Sequence, residues 1–297
     1  MYIKRAISGI ILLSLVILIT LYTVKTLSFN LQGSSSGSLK ALIVEDALPF
    51  GMSRAIEEAL EELGISYEIV SSSDFASVDL SKYKMIIIPS DQPTSYYNNM
   101  LNYIDELRDF VLGGKVIVAH MTDMGLNGGT WTQSFLPCAL DLRHVNLQIN
   151  DLTIINYQHP VINGPYGTVT DESIDNWYFS AHGYFTNIPR ETNIVIGCAD
   201  DPITMPVYIE WRCGHGLILA TMMPLEWAWE WGYTGGVIML KNELIYAYDY
   251  NPLLIGGDII TSSKRNMVKN YDYVTTSIVI TTLMILYIST IWRQKRN

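Results

Sequence analysis

Apolar positions follow three regimes along this chain. Ala6–Val24 and Val274–Trp292 are each runs of 19 residues without a charge, and a helix needs ~20 such residues to cross a hydrocarbon core. Between them the pattern is broken and periodic. Lys40–Val44 (KALIV), Lys84–Pro89 (KMIIIP) and Lys115–Ala119 (KVIVA) are short and almost wholly apolar, which predicts strands buried on both faces. Ser66–Val70 (SYEIV) predicts a further strand. Gly51–Leu63 places Ile56, Ala59, Leu60 and Leu63 on one helical face and Glu57, Glu58, Glu61 and Glu62 on the other, with Gly64 as its stop. Tyr96–Leu112 repeats the device, with Leu101, Ile104, Leu107, Phe110 and Val111 inward and Gly113-Gly114 at its end.

Apolar strands alternating with amphipathic helices predict an α/β fold, a flavodoxin-like, doubly wound and mostly parallel sheet. Beyond Ala119 the alternation loosens. Leu152–Asn156, Asn193–Gly197, Val207–Arg212 and Leu217–Thr221 read as strands, some of them antiparallel, and Val237–Tyr248 as a last helix. The predicted organisation is an N-terminal transmembrane anchor (1–25), a Gly/Ser-rich linker (26–38), the α/β domain (39–262), a juxtamembrane segment (263–273), a second transmembrane helix (274–292) and a basic tail (293–297).

Charge sets the expected orientation. Lys4 and Arg5 precede the first apolar run, and Arg293, Lys295 and Arg296 follow the second, so both termini are expected in the cytoplasm and the domain outside it. Lys264, Arg265 and Lys269, on the outer flank of the second run, oppose this. The alternative for the first run is a cleaved signal peptide; its length and the lack of an A-x-A site favour an uncleaved anchor. Residues 39–262 hold 10 Lys and Arg against 28 Asp and Glu. Such a surface repels nucleic acid and suits cations, neutral ligands such as sugars, or a basic partner. Neither apolar run contains Asp, Glu, His, Lys or Arg, which argues against a channel or pump. Of three cysteines, Cys198 and Cys213 flank a strand pair and are the candidate disulfide in an oxidising compartment, the odd count leaving one cysteine free or paired between chains.

Five segments together carry a resemblance: KALIVED, LSKYKMIIIPSDQ (Leu80–Gln92), LRDFVLGGKVIVAH (Leu107–His120), HPVINGP (His159–Pro165) and GHGLILATMMPLEW (Gly214–Trp227). In this order they resemble the class I glutamine amidotransferase-like superfamily, with ThuA-like and related uncharacterised members nearest. The superfamily's amidotransferases carry G-x-C-x-G at the turn after the strand corresponding to Lys115–Ala119. Here that turn reads Ala119-His120-Met121-Thr122-Asp123-Met124-Gly125. The family's late His-x-Glu pair is reduced to Glu226 in PLEW. Glutaminase chemistry needs a thiolate beside a His base, so the resemblance implies the fold without that activity.

Ligands of open α/β sheets bind beyond the carboxyl ends of the strands. Those ends supply Glu45 and Asp46, Ser90 and Asp91, His120 and Asp123, and Glu226. Glu45, Asp46, Asp91, His120, Asp123 and Glu226 are therefore the candidate crevice. No cofactor is predicted, though hard carboxylate oxygens suit a divalent cation. The competing reading is that these are solvent-facing loop residues and caps. Trp227, Trp229 and Trp231 alternate in EWAWEWGY and would share a side if extended; with Trp177 and His182 they are candidate binding aromatics, against the alternative that they pack the core. His159 and His215 read as turn residues. The expected function is a membrane-anchored, extracytoplasmic binding or scaffold module for a glycan or protein partner, in contact with lipid through its two helices. The alternatives are a carbohydrate-active or metal-dependent enzyme of the ThuA-like type, or an accessory subunit of a membrane complex.

Overall fold

The computed structural model describes residues 39–252. Both expected membrane spans, the linker, the juxtamembrane segment and the basic tail lie outside the described residues. Among the described residues no helix is long and apolar enough to cross a membrane.

Four apolar runs form the centre. β1 (Lys40–Val44), β3 (Tyr83–Ile88), β4 (Val116–His120) and β12 (Gly216–Thr221) are almost entirely buried, as strands covered on both faces must be. With β2 (Tyr67–Val70) they run parallel in the order β2-β1-β3-β4-β12, the order of flavodoxin-like sheets. The sheet then continues antiparallel through β11 (Pro206–Cys213), β10 (Asn193–Cys198) and β6 (Leu152–Ile154), giving eight strands. The result is a mixed α/β fold on a large, mostly parallel sheet. The strand order reverses between β1 and β3, so the topological switch point lies beside Glu45 and Ser90.

The residues between β4 and β12 also form β5 (Arg143–Ile149), paired antiparallel with β9 (Ala181–Thr186), and the short ladder β7 (Asn163–Gly164) with β8 (Gly167–Thr168). The helices are α1 (Ala55–Glu62), α2 (Thr94–Met100), α3 (Ile104–Leu112), α4 (Asp171–Ile174), α5 (Leu225–Glu230) and α6 (Thr234–Asp249). The expected helix Tyr96–Leu112 is α2 and α3 separated by a 3₁₀ turn at Leu101–Tyr103. α1, α5 and α6 pack on one another with α6 against β3 and β4, while α3 packs on β4, β11 and β12.

Two expectations are corrected. The disulfide joins Cys138 to Cys213, with Cα atoms 5.7 Å apart, and Cys198 is free and buried. Strand geometry explains this. β10 and β11 are antiparallel with Gly197 opposite Pro206, so Cys198 lies at the far end of β11 from Cys213, seven residues or ~23 Å away along the strand. And EWAWEW is not extended: it is α5, in which residues two apart point to different sides.

Candidate functional site

His120 is the last residue of β4, and its side chain has no exposure to solvent. Nδ1 lies 2.8 Å from Glu226 Oε1, and Nε2 lies 2.8 Å from Glu243 Oε2; both carboxylates are equally sealed. Glu226 comes from the first turn of α5 and also accepts the Ser90 amide at 3.0 Å. Glu243 comes from α6 and accepts the Tyr208 hydroxyl of β11 at 2.5 Å. One imidazole therefore ties β4 to two helices, and through them to β3 and β11.

Geometry and electrostatics together set the charge. A neutral imidazole has one N–H and one lone pair, so it satisfies a single carboxylate. Two ionised carboxylates at hydrogen-bond distance require both nitrogens to donate. Burial pushes the His120 pKa down, but Glu226 and Glu243 outweigh it and raise it to about 10. Burial pushes the Glu226 carboxyl up, yet His120 and the Ser90 amide hold it below its ordinary range. At neutral pH His120 is an imidazolium with no lone pair for a proton, so it is not a general base.

Other members of the predicted set divide by role. Asp46 accepts the Ser72 amide at 2.6 Å and hydroxyl at 2.7 Å, tying the exits of β1 and β2 together. Asp91 sits at φ +51° and accepts from the Asn127 amide. A Cβ on Gly125 would fall 2.5 Å from the Asp91 carboxylate and 2.6 Å from Phe50, so only glycine allows this turn to close over Asp91. Asp123 accepts from the Thr130 hydroxyl at 2.6 Å and the Trp131 amide at 3.1 Å, and its Oδ2 lies 3.3 Å from His144 Nε2. These three carboxylates hold the loops beyond the strand ends.

Glu45 differs. It is half-buried at the end of β1, and its Oε2 is enclosed without a hydrogen-bond partner. Burial first, then the Glu57 and Glu226 charges, raise its pKa from 4.5 to about 8. Glu57 and Glu226 likewise each keep one enclosed oxygen without a partner. Glu57 was expected on the solvent face of its helix; instead its side chain is 2 % exposed, with Arg54 Nε 3.4 Å away. Glu57 and Glu226 thus both bear on Glu45 at the switch point, an electrostatic cluster centred on that carboxyl. No group of three or more His, Cys, Asp or Glu side chains among the described residues is disposed to hold a metal ion, so the expectation of a divalent cation finds no support.

The aromatic set lies beside this cluster but is not one surface. Phe50, in the loop after β1, packs edge-on against His182 at 4.7 Å and Trp227 at 6.1 Å. Burial lowers the His182 pKa. Trp231 packs on Trp227 at 5.1 Å and is 65 % exposed. Trp229 is occupied: its Nε1 donates to Glu58, and Lys241 lies over its ring. Trp177 is buried and stacked on Tyr233, which removes it from the binding set. Tyr178 is 76 % exposed. His159 is also buried, facing Glu210 at 3.1 Å, with the Tyr246 hydroxyl donating to the same oxygen.

Glu243, Tyr208 and Glu57 were not anticipated as site residues. Glu243 carried a signal, being a lone carboxylate between Leu240 and Leu244 on the buried side of α6. Tyr208 lies within an apolar strand, and nothing in its neighbours marks it.

No protein-family model matches the chain. An uncharacterised protein of Clostridium acetobutylicum is 25% identical over 197 residues, 66% of this chain and 19% of that protein, so the chain spans about a fifth of the curated relative it matches. Among solved structures, a cytoplasmic protein of Salmonella typhimurium is similar with TM-score 0.49 and 15% identity, over 70% of this chain and 98% of that one. PurLQS of Thermotoga maritima is similar with TM-score 0.39 and 16% identity, over 70% and 98%. A β-galactosidase of Bacillus circulans sp. alkalophilus follows with TM-score 0.41 and 16% identity, over 74% and 33%. Likeness at this level carries no argument about activity, and the fold stands on the strand order itself.

Proposed function

We propose that this chain is a membrane-anchored, extracytoplasmic binding module built on an amidotransferase-like sheet, without glutaminase activity. One observation carries the reading: the strand end where the superfamily places its thiol is occupied by His120, sealed between Glu226 and Glu243 with both nitrogens engaged. No thiol replaces it. Cys138 is spent in a disulfide with Cys213, and Cys198 is buried in β10. A disulfide also fits an oxidising compartment, in line with the charge asymmetry around the two apolar runs. The exposed Trp231 and Tyr178, near the carboxyl edge of the sheet, are the natural anchors for a glycan or protein partner.

The test uses the full-length chain in detergent, on a glycan array and in pull-downs from solubilised membranes. The module reading expects a retained ligand whose capture is lost in the Trp231→Ala, Tyr178→Ala double variant, and no ammonia released from glutamine. Release of ammonia, or capture indifferent to both aromatics, overturns it. A second reading has support from Glu45: a proton-retaining carboxyl close to the ionised Glu226 is the division of labour that glycoside hydrolysis uses. Hydrolysis of nitrophenyl glycosides that disappears in Glu45→Gln would establish it in place of the first.

A further inference from the structure

Three large apolar side chains are presented to solvent from strained backbone. Met52, Met124 and Tyr178 are 56 %, 61 % and 76 % exposed, and they sit at φ +57°, +59° and +76°. In this region the Cβ of an L-residue crowds its own backbone, and glycine would relieve the contact. Strain kept at side chains that the core does not bury points to function. The three positions share one patch. Met52 follows Gly51, where an added Cβ would fall 3.0 Å from the Trp227 ring, and Met124 precedes Gly125, where one would fall 2.6 Å from Phe50. From Phe50 ring contacts run to His182 at 4.7 Å, on to Phe179 at 6.0 Å and then to Tyr178 at 5.0 Å. Trp227 carries the patch to the exposed Trp231 at 5.1 Å. Leu126, in the Met124 loop, is 70 % exposed. Tyrosine, tryptophan, phenylalanine and methionine are the side chains that protein interfaces enrich.

The surroundings limit what can cover this face. Polar side chains of the same loops are already spent on the backbone. Gln92 bonds the Ala47 and Ser90 carbonyls and the Asp46 and Ala47 amides, and Asn127 donates to the Leu48 and Asp91 carbonyls. The hydroxyls of a sugar would find few partners there. Residues 39–252 carry 10 Lys and Arg against 27 Asp and Glu, which repels anionic lipid and a second copy of this chain alike. Near the patch, Glu230 precedes Trp231 and Glu172 lies on α4 ahead of Tyr178, both exposed. The chain enters the sheet at Lys40, and Pro252 lies beside Gly114, both at the amino edge. The patch is at the other edge, a strand length or ~17 Å away. A protein segment with an apolar centre and basic flanks fits these conditions.

We propose that Met52, Met124, Leu126, Tyr178 and Trp231, set around Phe50, dock a protein partner through an apolar segment flanked by Lys or Arg. This rests on the binding-module reading and narrows its partner to protein.

The test pans a phage-displayed library of random dodecapeptides against the full-length chain in detergent. Selected peptides should join an apolar or aromatic centre to Lys or Arg flanks. Their affinity, measured by calorimetry on the synthetic peptides, should fall about tenfold or more in Tyr178→Ala and in Trp231→Ala, and should weaken as salt rises. Leu112→Ala, at the amino edge, should leave it unchanged. Met52→Gly and Met124→Gly separate docking from folding. Each should weaken the peptide while holding or raising the urea midpoint, because glycine accepts the positive φ. No enriched peptide, enrichment of acidic or wholly polar peptides, or affinity indifferent to Tyr178→Ala and Trp231→Ala overturns the proposal. A lowered urea midpoint in both glycine variants also overturns it, since the two methionines would then serve the fold. If a glycan is retained through Trp231 and Tyr178 while no peptide is selected, the module reading stands without a protein partner; if neither is retained, both fall.

Discussion

Replacing Glu45 by glutamine isolates the most perturbed carboxyl of the crevice. Its pKa is raised from 4.5 to about 8 by burial and by the charges of Glu57 and Glu226, with Arg54 opposing. The folded state therefore holds this proton more tightly than the unfolded chain does. The associated stability is fully present below about pH 4.5 and is lost as pH rises through about 8. At ~1.4 kcal/mol per unit, the whole displacement corresponds to about 5 kcal/mol. Glu45 is only half-buried, and solvent screening reduces this to roughly 2 kcal/mol. Glu45→Gln keeps the shape of the protonated acid and cannot ionise. It should match the parent at about pH 5 and exceed it by roughly 2 kcal/mol at about pH 9. The assay is urea unfolding of the full-length chain, followed by tryptophan fluorescence across that window. Every other titrating group is common to the two proteins, so their difference reports Glu45 alone. Midpoints that run parallel from acid to alkaline pH would refute the assignment of a buried, charge-crowded Glu45.

Three further outcomes follow from the packing. His120→Ala leaves Glu226 and Glu243 buried without their cation and should cost about 3–5 kcal/mol, whereas Tyr208→Phe, which removes one donor to Glu243, should cost about 1–3 kcal/mol; both are read by the same unfolding assay. The Cys138→Ser, Cys213→Ser double variant opens a loop of 75 residues and should lower stability by about 4 kcal/mol, while Cys198→Ala leaves the electrophoretic shift between reduced and oxidised protein unchanged. Gly125→Ala forces a methyl onto Asp91 and Phe50; it should destabilise by more than about 1 kcal/mol and raise protease sensitivity in the 124–129 turn.

What the sequence disclosed follows the strength of its patterns. From Lys40 to His120 three of the four strands, β1, β3 and β4, are runs buried on both faces, and each helix between them has one apolar side, so the parallel half of the sheet was legible. The carboxyl-end rule then located Glu45, Asp91, His120, Asp123 and Glu226 at one edge without any distance. Beyond Met121 the signals weaken for physical reasons. β5 buries only Ile149 among its seven residues, so it has no clean period, and β7 and β8 are two residues each. The alternating tryptophans imitate a strand, but they lie in a helix where Trp227 and Trp231 meet one turn apart. Cys198 and Cys213 flank one hairpin, yet pairing them would have required neighbours across it rather than opposite ends. Glu57 was lost among four glutamates of α1, because a helical wheel does not show that α5 and α6 pack over its side.

His120 stands at the carboxyl end of β4 as a locked cation between Glu226 and Glu243. Nitrogen-15 NMR of the imidazoles in the full-length protein tests this most directly. The structure predicts that His120 keeps both ring protons up to a pKa of about 10. A neutral His120 titrating near the ordinary value of about 6.5 would contradict it, and would return to that position a base able to do chemistry.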